Sequence, residues 1–356
     1  MSKVTIFGPS HKFESGISHY TSRLGRALSK DHTVHYCLFR DLLPRFLFPG
    51  KKRVSLFSDY FSPQPYTPID WWNIVSYIAS ILKANRSDSI IFEWWTGAVG
   101  LQYIIAALLL RRKTTILEYH ECIDTSEDRL LFSGMYSRCC LKVLSRLVSA
   151  GVFHSDWELD STERCYRPRV SFVIPHGVYD GHGGVTEHPK IPTYARFNVL
   201  FFGLVREYKG VGNLIEAFRR VAQPHWRLWI VGEEWDTIDI PDDDRIRRIH
   251  GYVDETALQS HFDRAHVVVL PYTRASQSGV SFIAMGKGLP IIASDVGGLG
   301  ESLQEYDGAW LVQPGNVEEI MESLCTVEES FNEVYPADVP DKFKWGNIAK
   351  KWREIL

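Results

Sequence analysis

Short apolar runs punctuate the chain, each stopped by glycine, proline or histidine and most followed by helical spacing. Val4 to Phe7 is the first, closed by Gly8-Pro9-Ser10. From about Gly16, Tyr20, Leu24 and Leu28 recur every four residues and share one helical face. A strand, a glycine loop and a helix in that order open a parallel α/β sheet. The same alternation predicts strands at Val34 to Phe39, Ser89 to Phe92, Thr115 to Tyr119, Ala150 to Phe153 and Val170 to Ile174. Helices are predicted over Leu101 to Leu110 and Met135 to Val148. A stretch rich in glycine (Gly177, Gly181, Gly183, Gly184) and broken by Pro189 and Pro192 then interrupts the pattern.

The alternation then begins afresh. Strands are predicted at Asn198 to Phe202, Arg227 to Val231, Ile246 to His250, His266 to Leu270 and Pro290 to Ala293, with an edge strand at Trp310 to Val312. Helices fall at Asn213 to Ala222, from Val280 to Met285, and at Val317 to Cys325. Two successive βα series imply two doubly wound, Rossmann-like domains facing a central cleft, with ligands at the carboxyl ends of the strands. The predicted boundaries are 1–178, a linker at 179–195, a second domain at 196–340, and a closing segment at 341–356.

A chain of 356 residues suits two domains. With 45% hydrophobic and 23% charged residues it is neither disordered, collagen-like nor a coiled coil. Eleven tryptophans suit stacking on sugars or bases, wedging into a membrane interface, or simply a large aromatic core. The net charge of -3 is divided unevenly: residues 1–178 hold 22 Lys and Arg against 16 Asp and Glu, and the remainder is acidic. A basic half points to an anionic partner such as lipid head groups or a phosphorylated substrate. The six cysteines show no C-x-x-C pair and no metal spacing, which reads as free thiols in a reducing compartment. The most lipid-like stretch, Ala98 to Leu110, is too short to span a bilayer, so a cytoplasmic protein is expected, with a peripheral place on the inner face of a membrane left open.

Two loops carry the candidate chemistry. In Phe202-Gly203-Leu204-Val205-Arg206-Glu207-Tyr208-Lys209-Gly210, Arg206 and Lys209 stand three residues apart beyond a strand, where two cations could hold a diphosphate. In Leu270-Pro271-Tyr272-Thr273-Arg274-Ala275-Ser276-Gln277-Ser278-Gly279-Val280, Ser278-Gly279 begins a helix whose free N–H groups favour an anion. Asp242-Asp243-Asp244 reads as a solvated loop. From Phe39 to Arg53, the basic residues Arg40, Arg45, Lys51, Lys52 and Arg53 are interleaved with Phe and Leu, a composition suited to anionic lipid. Trp94 and Trp95 directly follow a strand, which would let one ring line an acceptor site.

These loops, with Val-Gly-Glu-Glu at 231–234, His-Gly-Tyr-Val at 250–253, the Ala284 to Ser294 segment and the Val296 to Glu301 run, resemble glycosyltransferase family 4, the group 1 glycosyltransferases of GT-B fold. The resemblance covers nearly the whole chain and is strongest from Asn198 to Pro314. It implies that Arg206 and Lys209 stabilise the departing diphosphate, and that Val253 meets the nucleobase. Gly279 and Val280 would lie beside the distal phosphate and sugar, with Gln277, Ser278 and Glu301 as further donor contacts. Gly16, Ile17 and Ser18 match the first glycine loop, and His120 a histidine that contacts the sugar. The last segment, with Phe343, Trp345, Ile348, Ala349 and Trp352 in a stripe, resembles a helix that crosses back to the first domain.

The implied activity is retaining transfer of a hexose from a UDP- or GDP-sugar to a glycan or lipid-linked acceptor, in polysaccharide or glycolipid biosynthesis. It implies no metal, no further cofactor and no nucleic-acid partner. One departure stands out: where the family carries two glutamates, this chain has Ala275 and Ile283. That keeps open a non-catalytic paralogue binding sugar nucleotide or glycan as a partner subunit, and more remotely an epimerase or phosphorylase.

Overall fold

The structure, a computed structural model, describes residues 1–10, 16–41, 66–70, 72–121, 131–179, 197–221, 223–251, 253 and 255–356. It divides into two compact units, Met1–His176 with Trp345–Leu356, and Gly177–Lys344.

The first unit is built on seven parallel strands: β1 (Lys3–Pro9), β2 (Thr33–Asp41), β3 (Tyr66–Asp70), β4 (Ser89–Trp94), β5 (Thr114–Tyr119), β6 (Ala150–Phe153) and β7 (Ser171–Val173). Their order is β3-β2-β1-β4-β5-β6-β7, so the direction of winding reverses between β1 and β4. Successive side chains point to opposite faces. Val4, Ile6, Ile91 and Ile116 therefore enter one core, with Tyr20, Leu24 and Leu28 of α1 (Gly16–Leu28). Phe7, Ile90, Phe92 and Leu117 enter the other. That second face is covered by α2 (Ile74–Ala84), α3 (Gly100–Leu109) and α4 (Leu131–Leu147), which bury Ile81, Tyr103 and Leu141. A short helix, α5 (Asp156–Ser161), lies between β6 and β7.

The second unit has six parallel strands: β8 (Phe197–Phe202), β9 (Trp226–Gly232), β10 (Ile246–His250), β11 (Val267–Leu270), β12 (Ile291–Ser294) and β13 (Ala309–Val312). They run β10-β9-β8-β11-β12-β13, with the reversal between β8 and β11. The crossovers carry α6 (Val211–Arg220), α7 (Glu255–Arg264), α8 (Gly279–Gly286) and α9 (Gly297–Leu303), and α10 (Val317–Val334) follows β13. The final helix, α11 (Trp345–Arg353), belongs to the first unit: Ile348 and Trp352 are fully buried beside Val4, Ile6 and Tyr20. Arg353 is ion-paired with Asp31 at 2.6 Å, and the Leu356 carbonyl accepts from the Ser89 hydroxyl at 2.7 Å.

Several elements are not visible in the sequence pattern: β3, α2, α5, α7 and α9. Helix α2 reads Ile-Val-Ser-Tyr-Ile-Ala-Ser-Ile-Leu-Lys-Ala, with only a narrow polar stripe, Ser76, Ser80 and Lys83, in an otherwise apolar run. It is announced instead by its cap, since the Asn73 side chain accepts from the Val75 and Ser76 amides. Helix α10 runs on to Val334, nine residues past the predicted end at Cys325, because no glycine or proline stops it. Among the described residues no helix is long and apolar enough to cross a membrane.

Candidate functional site

In the second unit the two candidate loops leave β8 and β11, the strands that flank the reversal, which is where an open α/β sheet has room for a ligand. The first makes a bend at Gly203, whose φ of 121° lies outside the range L side chains favour, and one turn of 3₁₀ helix over Glu207–Lys209. A Cβ at Gly203 would lie 3.4 Å from Lys209 Nζ and 3.9 Å from a Val280 methyl. The two loops therefore meet at one point.

Lys209 is fixed there by Tyr272, the second residue after β11: its Nζ donates to the phenol oxygen at 3.3 Å and sits 4.8 Å from the ring centre. Burial works against its charge, but the phenol oxygens of Tyr272 and Tyr208 more than offset it, so its pKa lies above the ordinary lysine value. Tyr272 in turn contacts the Ser278 hydroxyl at 3.3 Å. Ser278 stands at the N-cap of α8 with extended backbone, yet its side chain makes no capping bond. Gly279 is exposed and Val280 half-buried, so the first amides of α8 carry no side-chain cap.

Arg206 is held differently. Its guanidinium lies 5.5 Å from the Tyr208 ring and 5.3 Å from that of Trp235, and its Nε is 4.0 Å from Asp236. That Nε is buried without a hydrogen-bond partner among the described residues. Arg274 stacks on Tyr208 at 5.3 Å. Two aromatic rings thus orient Arg206, and an aromatic phenol orients Lys209. The resulting assembly of fixed cations, an uncapped helix start and a glycine is chemically suited to an anion with several oxygens.

The first unit brings together a second set. Glu93 and Glu118 are in register on β4 and β5 and face α1, fully buried. Thr21 donates to Glu93 at 2.6 Å, and Tyr20 donates to Glu118 at 2.5 Å. His120 follows β5, its ring 4.9 Å from Tyr20 and 5.1 Å from His154. His154 Nδ1 must carry its proton, because its partner is the Ile174 carbonyl at 3.0 Å. Its Nε2, 3.7 Å from Glu118, then has a lone pair. Burial first, and Glu158 further, push Glu118 up to about 8, so its carboxyl is largely neutral at physiological pH. Atoms of Glu118, His120 and His154 lie within 4.8 Å of one another, near enough to bracket a cation. Burial, then His154 and His176, hold His120 well below the usual histidine range. Its Nε2 is buried without a hydrogen-bond partner among the described residues.

These shifts set a pH profile. Glu118 is raised above its ordinary value of 4.5, so its contribution to stability is complete below pH 4.5 and is lost as pH rises through 8. His154 and His19 are both lowered from 6.5 to about 4, so theirs is present above pH 6.5 and is lost as pH falls through 4. The melting temperature is expected to peak near the upper end of the acid range and decline towards pH 8, by about 1.4 kcal/mol per pH unit for one proton. Burial, then Glu118, also raises Glu93 well above its ordinary value, so Glu118→Gln should lessen the alkaline decline without removing it, and a flat melting temperature from pH 6.5 to 8 would show that both carboxyls are ionised in the fold.

The other predicted residues are placed as follows. Gly16 and Ile17 start α1, exposed and half-buried respectively. Val253 is half-buried against the core of the second unit, Gln277 is half-buried before Ser278, and Glu301 is half-buried on α9. Trp94 is a correction: at 1% exposure it is a core residue beside Val99 and Tyr103, because it ends β4 on the covered face, and it cannot meet an acceptor. Trp95 is half-buried against Phe39. Ala275 and Ile283 pack against the core. In the loop read as solvated, Asp243 is half-buried and paired with Arg245 at 2.8 Å. Arg40 is clamped to Asp70, at 2.5 and 3.1 Å, rather than offered to lipid. Arg45, Lys51, Lys52 and Arg53 lie outside the described residues. Tyr272, Trp235, Arg274, Tyr20 and His154 were missed. Tyr272 and His154 could have been found by position, since each follows the end of a strand beside a candidate loop.

Residues 196–329 match the family described as glycosyl transferases group 1. The GDP-mannose:glycolipid 4-beta-D-mannosyltransferase of Xanthomonas campestris pv. campestris is 27% identical over 208 residues, 55% of this chain and 56% of that protein. The chain thus spans about half the length of the curated relatives it matches. Among solved structures, sucrose-phosphate synthase from Thermosynechococcus elongatus superposes with a TM-score of 0.67 at 16% identity, over 100% of this chain and 98% of that one. Anabaena HepE, solved in complex with UDP, gives 0.68 at 16% identity over 99% and 98%. These structures have the GT-B fold, and this chain shares it.

Proposed function

We propose that this chain, a group 1 glycosyltransferase by its residues 196–329, transfers a hexose from a nucleotide-diphosphate sugar to a glycan or lipid-linked acceptor. The observation that carries the reading is the meeting of Lys209, Gly203 and Val280, with Arg206 fixed on the same loop. The second unit takes the donor. Its diphosphate lies on Arg206, Lys209 and the start of α8, with the base towards Val253 and with Gln277, Ser278 and Glu301 beside phosphate and sugar. Negative charge grows on the leaving diphosphate as the glycosidic bond breaks. Cations already oriented by aromatic rings stabilise that charge without reorganising, and no bound metal ion is assigned to this task.

The first unit takes the acceptor. Gly16 and Ile17 border it, and the neutral imidazole of His120 accepts from a sugar hydroxyl. We assign retention of anomeric configuration, with a donor phosphate oxygen taking the acceptor proton, so no protein nucleophile is named. GDP-hexoses are the first donors to test, because the Xanthomonas relative is named for GDP-mannose, with UDP-hexoses second. Work at the cytoplasmic face of a membrane follows from a lipid-linked acceptor.

A thermal-shift panel of GDP- and UDP-sugars is expected to show one donor raising the melting temperature, since binding to the folded state alone stabilises it. Proton NMR of the product then reads the anomeric configuration, and an inverted product would overturn the retaining assignment. A second reading has one observation behind it: Ala275 and Ile283 replace the family's glutamate pair. Donor binding without turnover on any acceptor would favour the non-catalytic partner subunit.

A further inference from the structure

Helices α2, α3 and α4 lie side by side over one face of the first sheet. The Tyr77 hydroxyl donates to the Gln102 carbonyl between α2 and α3, and the Leu101 amide meets the Tyr136 hydroxyl between α3 and α4. Their inner sides are buried in the core, as a helical layer requires. Their outer sides are not polar. Ile74, Val75 and Leu82 of α2, with Leu101, Leu108 and Leu109 of α3, are each at least half exposed. Scattered apolar side chains are ordinary on a surface, but a contiguous set on two packed helices is not.

The charge on this layer has one sign. None of the three helices contains Asp or Glu. Arg111, Arg112 and Lys113 directly follow α3, and Arg138, Lys142 and Arg146 stand on α4. Asp88, the acid nearest the end of α2, accepts from the Lys3 amide at 2.8 Å. Trp72, 65% exposed just ahead of α2, adds an indole of the kind that settles at a lipid–water boundary. Among the described residues of these three helices the only charged side chains are cations, and an apolar face carrying cations matches a bilayer with anionic head groups.

We infer that the outer face of α2, α3 and α4 docks on an anionic lipid bilayer, with the leucines and isoleucines entering the acyl boundary and the arginines resting on the head groups. This is a different surface from the Arg45–Arg53 segment. It rests on the acceptor reading above for its purpose, and on the surface alone for whether it binds. No helix needs to span the membrane. Attachment of this kind is reversible and weakened by salt.

The test is co-sedimentation of the full chain with phosphatidylcholine vesicles, with and without phosphatidylglycerol, at low and high salt. Two double variants accompany the wild type, Leu108→Gln with Leu109→Gln and Arg111→Glu with Arg112→Glu, neither touching the donor loops. One basic residue near such a surface is worth about fivefold in affinity. Reversing two charges should therefore lower binding to anionic vesicles at least tenfold, and the leucine pair should lower it comparably. Melting curves check that both variants fold. Wild-type binding that ignores phosphatidylglycerol, or that neither variant reduces, overturns the inference. So does a wild-type dimer in sedimentation equilibrium that the leucine pair dissociates, which would give the face to a second copy. Nucleotide-sugar thermal shifts on the same proteins separate the two claims: vesicle binding without any donor shift would defeat the functional reading and leave the surface assignment standing.

Discussion

Replacing Lys209 by alanine should lower the rate of sugar transfer by about a hundred- to a thousandfold, the range seen when one fixed stabiliser of transition-state charge is removed. The argument is geometric. Lys209 Nζ has Tyr272 as its protein partner at 3.3 Å and lies 3.4 Å from the position a Cβ on Gly203 would take. Its pKa lies above the ordinary lysine value, so it is cationic at any pH the protein works at. Charge on the diphosphate grows as the glycosidic bond breaks, so the contact strengthens towards the transition state, and kcat should fall more than KM rises. The fold should survive, because Tyr272 keeps its contact with Ser278 and its place in the core. Lys209→Met keeps the apolar stem and tests charge alone. Unchanged turnover in either variant would remove the diphosphate from this loop. Arg206→Lys should also impair transfer, since an ammonium cannot lie flat between Tyr208 and Trp235 as a guanidinium does.

Trp352→Ala should destabilise the first unit by about 3 to 5 kcal/mol, a large part of the stability of a typical domain. The indole is fully buried on α11, in the core formed by α1 and the strands Val4–Ile6, Ile91 and Ile116. A cavity of that size is flanked by strands tied to two neighbours each, so it cannot close by local collapse. Chemical denaturation read on the first unit is the measurement. A loss below about 1 kcal/mol would mean that α11 contributes little to that core. Removing the Arg353–Asp31 pair, by contrast, should be nearly silent, because both side chains are well exposed.

The order of strands and the two candidate loops were legible because parallel α/β units announce themselves by alternation, and because Arg206, Lys209, Ser278 and Gly279 stand next to strand ends. Residues acting through a partner distant in sequence were not legible. Tyr272 holds Lys209 across 63 positions, and Tyr20 reaches Glu118 across 98. No local spacing encodes such pairs. Trp94 misled for a related reason: a tryptophan at a strand end reads as available, and only the parity of β4, which turns it to the covered face with Ile90 and Phe92, shows that it is core. Helix α2 stayed hidden because its polar stripe, Ser76, Ser80 and Lys83, is narrow and its exposed side carries Ile74, Val75 and Leu82.

The first unit is not continuous in sequence: its last helix comes from residues 345–356, after the whole of the second unit. Synthesis therefore finishes the two units out of order. When the ribosome has released residues 177–344, the second unit has every strand and helix it needs, while the first still lacks the side chains of Ile348 and Trp352 that seal one face of its sheet. Tyr20 and the buried Glu118 stay closer to water until the final dozen residues arrive. The half that is made first is completed last, and any premature stop in the closing helix leaves the first unit open.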